Sequence, residues 1–212
     1  MKEIIIVGAG GTGREVLQWI KDINAVKPRW IIKGFIDDNL NALKGYECSH
    51  SIIGSLKEWQ PGPREVFVCA ISIPQQKEAA VRALKKKGAD FTEVIHPTAI
   101  ITQHNFIGKG LIVYPNARIS VNAKVGNFVT LLTSIIGHDV EVDNFTTITS
   151  HCGINGRVKI GKRVFIGSHV AIIPGKKVGD DAYIGAGSVV IEDVLPNTVV
   201  AGVPARFIRN NV

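Results

Sequence analysis

Three cysteines in 212 residues, Cys48, Cys69 and Cys152, give an odd count with no paired spacing. That excludes a disulfide framework and a four-thiolate zinc site, and it fits a reducing compartment. Long apolar runs are lacking too. No stretch approaches the ~20 residues of a membrane span. At the N-terminus only Ile4 to Val7 are continuously apolar before glycines begin, too few for the core of a signal peptide. The expectation is a soluble, cytoplasmic protein without membrane insertion.

A basic patch is also missing. The formal charge is +7, but residues 1–95 hold 14 Lys and Arg against 11 Asp and Glu, and residues 96–212 hold 11 against 7. The excess is spread along the chain, and the longest basic run is Lys85-Lys86-Lys87 on a helical stretch. A nucleic-acid partner is therefore not expected. Mild attraction for phosphorylated small molecules is.

What is present divides in two. Up to residue 95 strands and helices alternate: a strand over Glu3–Val7, a glycine turn over Gly8–Gly13, and a helix over Arg14–Asn24 with Val16, Leu17 and Ile20 at helical spacing. Strands over Trp30–Ile36, Val66–Ile71 and Phe91–Ile95 and a helix over Gln75–Lys87 complete a small α/β unit with a parallel sheet.

After His96-Pro97 a period of six takes over. Ile101, Ile107, Val113, Ile119 and Val125 are six apart. The count slips by one residue between Val125 and Ile136, then resumes through Val142, Ile148, Ile154, Ile160, Ile166, Ile172, Val178, Ile184 and Val190. Small or branched residues recur four positions after the anchors, and glycine often follows an anchor directly. Hexads of this kind build a parallel β-helix, one short strand and one turn each, with three hexads closing a triangular coil and the anchors inward; residues 101–190 leave room for about five coils. An alternating antiparallel sandwich would show period two instead.

Two motifs carry chemistry. His138 lies two residues past the anchor Ile136, so its side chain leaves the turn outward, and the adjacent Asp139 can hold its imidazole in the reactive tautomer. An exposed turn His-Asp pair without a function is the alternative reading of the same residues. In the glycine turn, Gly8, Gly10 and Gly13 fit a dinucleotide-binding pattern, with Asp37 and Asp38 at the end of the next strand. A nicotinamide cofactor is the direct reading of that motif, weakened because only about 95 residues belong to the α/β unit. His151 and His169, 18 residues apart, should stack on consecutive coils, but a zinc site needs a third ligand and His138 is out of phase, so no metal is expected. His50, His96 and His104 receive no role.

Taken together, Ile4-Ile-Ile-Val-Gly-Ala-Gly-Gly-Thr-Gly-Arg-Glu15, Gly34-Phe-Ile-Asp-Asp38, Ile53-Gly54, Ile95-His-Pro97, Ile136-Gly-His-Asp139, the glycine-rich hexads and Ala201-Gly-Val-Pro-Ala-Arg206 resemble the hexapeptide-repeat sugar acetyltransferases of the NeuD and PglD type. The resemblance covers nearly the whole chain. It implies a Rossmann-like domain over 1–95 that binds a sugar or nucleotide sugar, and a left-handed β-helix acetyltransferase domain with a C-terminal tail over 96–212. It further implies a homotrimer that binds acetyl-CoA between neighbouring β-helices.

By the same resemblance His138 is the general base with Asp139 behind it, transferring acetyl to a nucleotide-linked amino sugar or, alternatively, to a sialic acid hydroxyl. Gly10, Gly11, Thr12, Asp37, Asp38 and Gly54 are assigned to the acceptor. Thr147, Gly156, Gly167, Ser168, Gly185, Ala186 and Arg206 are assigned to acetyl-CoA. Two positions depart from the pattern: Thr12 and Thr147 stand where many relatives carry histidine.

Overall fold

The computed structural model describes residues 1–211. They form two compact units, Met1–Pro97 and a second beginning at Thr98.

In the first unit, β1 (Lys2–Val7), β2 (Trp30–Ile36), β3 (Ile52–Gly54) and β4 (Glu65–Cys69) form one parallel sheet in the order β3-β2-β1-β4. Ile4, Ile5, Ile6 and Val7 are all fully buried, as expected of a central strand in a parallel sheet covered on both faces. The helix α1 (Gly11–Val26) turns Val16, Leu17, Ile20 and Ile23 inward, and α2 (Pro74–Lys86) begins on a proline whose missing N–H has no helical partner to lose. The sequence reading missed β3, three half-buried residues without alternation. The expected strand over Phe91–Ile95 contracts to a bridge between Phe91 and Phe67 and the two-residue β5 (Val94–Ile95).

The glycine turn is tight for a steric reason. Gly8 has φ +96°, and a Cβ on Gly13 would sit 2.0 Å from the Gly8 carbonyl oxygen. These two glycines are demanded by the packing of α1 on β1. Gly10 and Gly11 have open space where a side chain would be.

The second unit is a parallel β-helix. Among the described residues, sixteen two-residue strands run from β6 (Ile100–Ile101) to β21 (Val189–Val190), followed by β22 (Thr198–Ala201) and its antiparallel partner β23 (Arg206–Asn210). The strands fall into three sheets. The first stacks Ile107, Val125, Val142, Ile160 and Val178, the second Ile101, Ile119, Ile136, Ile154, Ile172 and Val190, and the third Val113, Leu131, Ile148, Ile166 and Ile184. Side chains point alternately out of and into the prism, so the anchors bury: Ile119, Ile136, Ile148, Ile166, Ile172 and Ile184 have no accessible surface. Each contributes about 1.5–3 kcal/mol relative to exposure.

The turns between sheets use the left-handed backbone region. Asn122, Asp139 and Arg157 occupy it at φ +59°, +58° and +62° along the edge between the second and first sheets, and Asn116, His151 and His169 do so along the edge between the third and second. Along that latter edge, the residues 132–134 have no such position. Leu131 extends the first run of anchors, so the slip falls between Leu131 and Ile136, where a five-residue hexad makes neighbours 17 rather than 18 residues apart.

Candidate functional site

His138 projects from the turn that follows Ile135–Ile136, between the second and first sheets. Its side chain is 53% exposed. The imidazole Nδ1 donates to Oδ2 of Asp139 at 2.8 Å, which leaves the Nε2 lone pair of the neutral ring for a proton. An aspartate suits a left-handed turn whatever its chemistry. What singles Asp139 out is the direction of its carboxylate. Its carboxyl is held below the ordinary carboxylate range, first by the hydrogen bond with His138 and against some desolvation, then by a hydrogen bond from Asn122 and by the charges of His138 and Arg157. Asp139 therefore stays ionised wherever a neutral imidazole exists.

The backbone of this pair is fixed from both sides. Asp139 N–H donates to Val121 O at 3.1 Å, one coil before, and His138 O accepts from Arg157 N–H at 3.0 Å, one coil after.

Gly156 belongs to the same coil neighbourhood. It is buried, and a Cβ there would lie 2.4 Å from Nε2 and 2.5 Å from Cε1 of His138. The space a side chain would take is filled by the imidazole, so the bare backbone of Gly156 is what lets the ring lie where it does. Thr147, nine residues past His138, lies in a different sheet. It pairs with Thr130 and Phe165 in the third sheet and has no accessible surface, so it presents no side chain to a cofactor in this chain.

The other residues assigned to acetyl-CoA gather elsewhere. Gly167, Ser168, Gly185 and Ala186 stack on the edge between the third and second sheets, with Gly187 N–H donating to Ser168 O at 2.8 Å. A Cβ on Gly167 would meet the Ala186 nitrogen at 2.6 Å, so coil stacking alone already requires that glycine. Ser168 Oγ bonds Thr149 Oγ1 at 3.1 Å, and Ala186 is exposed. Arg206, on β23, is exposed with its guanidinium 3.7 Å from the Glu192 carboxylate. Within one chain this edge and the edge carrying His138 are different edges of the prism.

His151 and His169 lie on that former edge too, their rings stacked with centroids 4.9 Å apart. Among the described residues no three His, Cys, Asp or Glu side chains converge as a metal site. No described helix is long and apolar enough to cross a membrane.

In the first unit the expected acceptor residues do converge at the carboxyl ends of the strands. Asp37 is already engaged: Oδ2 accepts from Ala9 N–H and Oδ1 from Asn39 N–H, both at 2.8 Å, which pins the glycine turn to the end of β2. Each oxygen keeps a further lone pair. Asp38 is exposed and accepts from Lys57 N–H at 3.2 Å. Gly54 O accepts from Asp37 N–H at 3.1 Å, and a Cβ on Gly54 would strike the Trp59 ring at 2.9 Å. Thr12 bonds Ser72 Oγ through its hydroxyl. At Gly10 and Gly11 the N-terminus of α1 opens outward with no acidic residue in its first turn, an arrangement that attracts an anion.

Comparison with known proteins gives matches over both units. Residues 3–84 match the PglD N-terminal domain family, and residues 157–192 match the bacterial transferase hexapeptide family, six repeats. Galactoside O-acetyltransferase of Escherichia coli (strain K12) is 58% identical over 24% of this chain and 26% of its own length. GDP-perosamine N-acetyltransferase of Escherichia coli O157:H7 is 29% identical over 80% of this chain and 77% of its length. Serine acetyltransferase of Escherichia coli (strain K12) is 31% identical over 85% of this chain, which spans about half of that relative, 53%.

Among solved structures, perosamine N-acetyltransferase from Caulobacter crescentus in complex with CoA and GDP-perosamine superposes with a TM-score of 0.89, at 20% identity and over 99% of this chain and 98% of that one. WeeI from Acinetobacter baumannii AYE superposes at 0.87, with 25% identity and coverage of 98% and 100%.

Proposed function

Because the chain joins a PglD N-terminal domain to bacterial transferase hexapeptide repeats, and so belongs with the hexapeptide-repeat sugar acetyltransferases of the PglD and NeuD type, we propose that it transfers acetyl from acetyl-CoA to the amine of a nucleotide-linked amino sugar. The observation that carries the reading is the half-exposed His138–Asp139 pair, in which the carboxylate engages Nδ1 and leaves the Nε2 lone pair to take a proton.

In the reaction the acceptor amine attacks the thioester carbonyl while Nε2 of His138 takes its proton. Asp139 stabilises the imidazolium that results. Collapse of the tetrahedral intermediate expels the CoA sulfur, which recovers the proton from the imidazolium, leaving an amide and free CoA. Gly10 and Gly11 at the start of α1 would receive the acceptor's phosphates, with Thr12, Asp37, Asp38 and Gly54 around its base or sugar. Gly167, Ser168, Gly185 and Ala186 would line the pantetheine arm and Arg206 would meet a CoA phosphate. Since that edge is separate from the edge of His138, a neighbouring chain has to bring the two together, which favours a homotrimer. A cytoplasmic location, where acetyl-CoA and nucleotide sugars are made, belongs to the same reading.

The 58% identity with a galactoside O-acetyltransferase over 24% of this chain favours a second reading, transfer to a sugar hydroxyl. A screen for CoA release across UDP-, GDP- and dTDP-amino sugars and free sialic acid separates the two. For the mechanism, His138→Ala is expected to fold and to bind acetyl-CoA as the wild type does while losing about 100-fold or more in turnover. Full turnover in that variant would sink the base assignment.

A further inference from the structure

A ring that turns about its own Cα–Cβ bond is a poor base unless something holds it. On an exposed turn, burial does not supply that restraint for His138. Two residues one coil away do. Asn122, 17 residues earlier, hydrogen-bonds the carboxylate of Asp139, and Gly156, 18 residues later, lies under the ring so closely that a Cβ would meet Cδ2, Cε1 and Nε2 at 3.1, 2.5 and 2.4 Å. The main-chain bonds from Asp139 N–H to Val121 O and from Arg157 N–H to His138 O keep these three turns in register.

We infer that Gly156 and Asn122 are positioning residues for the proposed base: the bare face of Gly156 sets the plane of the His138 imidazole, and Asn122 fixes the carboxylate that selects its tautomer. The inference rests on the reading of His138 as the base. Gly156 is not in the left-handed region, so an alanine meets no backbone strain there, and the atoms it would strike belong to the tip of a half-exposed side chain. Gly156→Ala should therefore leave the β-helix intact and swing the ring outward. The coil spacing ties the arrangement together: the five-residue hexad before Ile136 is what puts Asn122, rather than a neighbour, one coil from Asp139.

Gly156→Ala in the full chain is expected to lower turnover on the order of 10- to 100-fold, the scale of a misplaced catalytic group. Michaelis constants for acetyl-CoA and for whichever amino-sugar nucleotide releases CoA should stay unchanged. Combined with His138→Ala it should cost nothing further, because both changes act through one ring. Asn122→Ala should lose less and be non-additive with Asp139→Asn. A readout independent of turnover is carbethoxylation of His138 by diethylpyrocarbonate, followed by peptide mapping. Gly156→Ala should speed it by exposing Nε2 while leaving the rate at His169 alone. An inactive His138→Ala beside a fully active Gly156→Ala with unchanged carbethoxylation overturns the clamp and spares the base. A fully active His138→Ala removes the base, and the carbethoxylation rates then still decide whether Gly156 holds the ring.

Discussion

Lys77 lies on the inner side of α2 with no accessible surface. Burial lowers its pKa from the ordinary 10.5 to about 7, with the nearby Cys69 thiol opposing, and the same burial raises Cys69 to about 11. A lysine whose folded pKa is depressed binds fewer protons in the folded than in the unfolded chain between those two values, so stability rises with pH from about 7 toward 10.5. Each pH unit inside that window adds up to about 1.4 kcal/mol. Urea unfolding of the wild type is expected to show the rise and Lys77→Met to flatten it; equal slopes in the two proteins would contradict the assignment. Lys77 carries no mark in the sequence, because it sits among ordinary helix-surface residues and only the packing of α2 on β4 turns it inward. His138 is the opposite case. Its place in the hexad gives its direction, and its neighbour gives its partner. Gly156 was readable only by adding one coil to 138, and Asn122 only by subtracting one coil after locating the slip. Thr147 lies one and a half hexads on, in a different sheet where its side chain is covered, a burial that the hexad count does not reveal.

Element by element, the β-helix is legible because its geometry is its sequence: an anchor every sixth residue is what a three-sided coil demands. The slip was visible as well, though not its position. The structure places the missing residue after Leu131, in a turn where Ser134 replaces the usual apolar corner residue. Ser134 is buried, its Oγ donates to Thr149 O at 2.6 Å, and it accepts from Cys152 N–H at 2.7 Å. The hydroxyl ties the shortened coil to the next, as that of Thr146 does in a turn of full length. Ser134→Ala leaves the buried Cys152 N–H and the half-buried Thr149 carbonyl short of one partner each, which costs about 1–3 kcal/mol. Chemical denaturation should show a loss in that range with CD unchanged in shape, and a change under a few tenths would mean the turn closes without the hydroxyl. The three-residue β3 shows the limit of such reading: it has no period to detect and is strand only because β2 offers an edge.

At the scale of the whole molecule the prism has flat sides, and the second sheet is the one whose outward residues suit a like surface. Ile100 and Ile135 are 53% and 52% exposed there with the exposed Arg118 between them, Gly153 presents open space, and Ala171 and Val189 are small or branched. Its two borders are the edge that carries His138 and the edge that carries Gly167, Ser168, Gly185 and Ala186. Packing second sheets around a threefold axis would bring the first edge of one chain toward the second edge of the next, and a single chain has no means of doing so. The proposed site is then complete only in the assembly. The protein is expected to sediment near three times 22.9 kDa. Ile135→Asp, a charge on an exposed position that leaves the anchor ladder untouched, should release monomers with a folded CD spectrum and little CoA release. A wild-type protein that stays monomeric at micromolar concentration and turns over at full rate would contradict this, because His138 would then be acting on a thioester held by its own chain, around a corner of the prism.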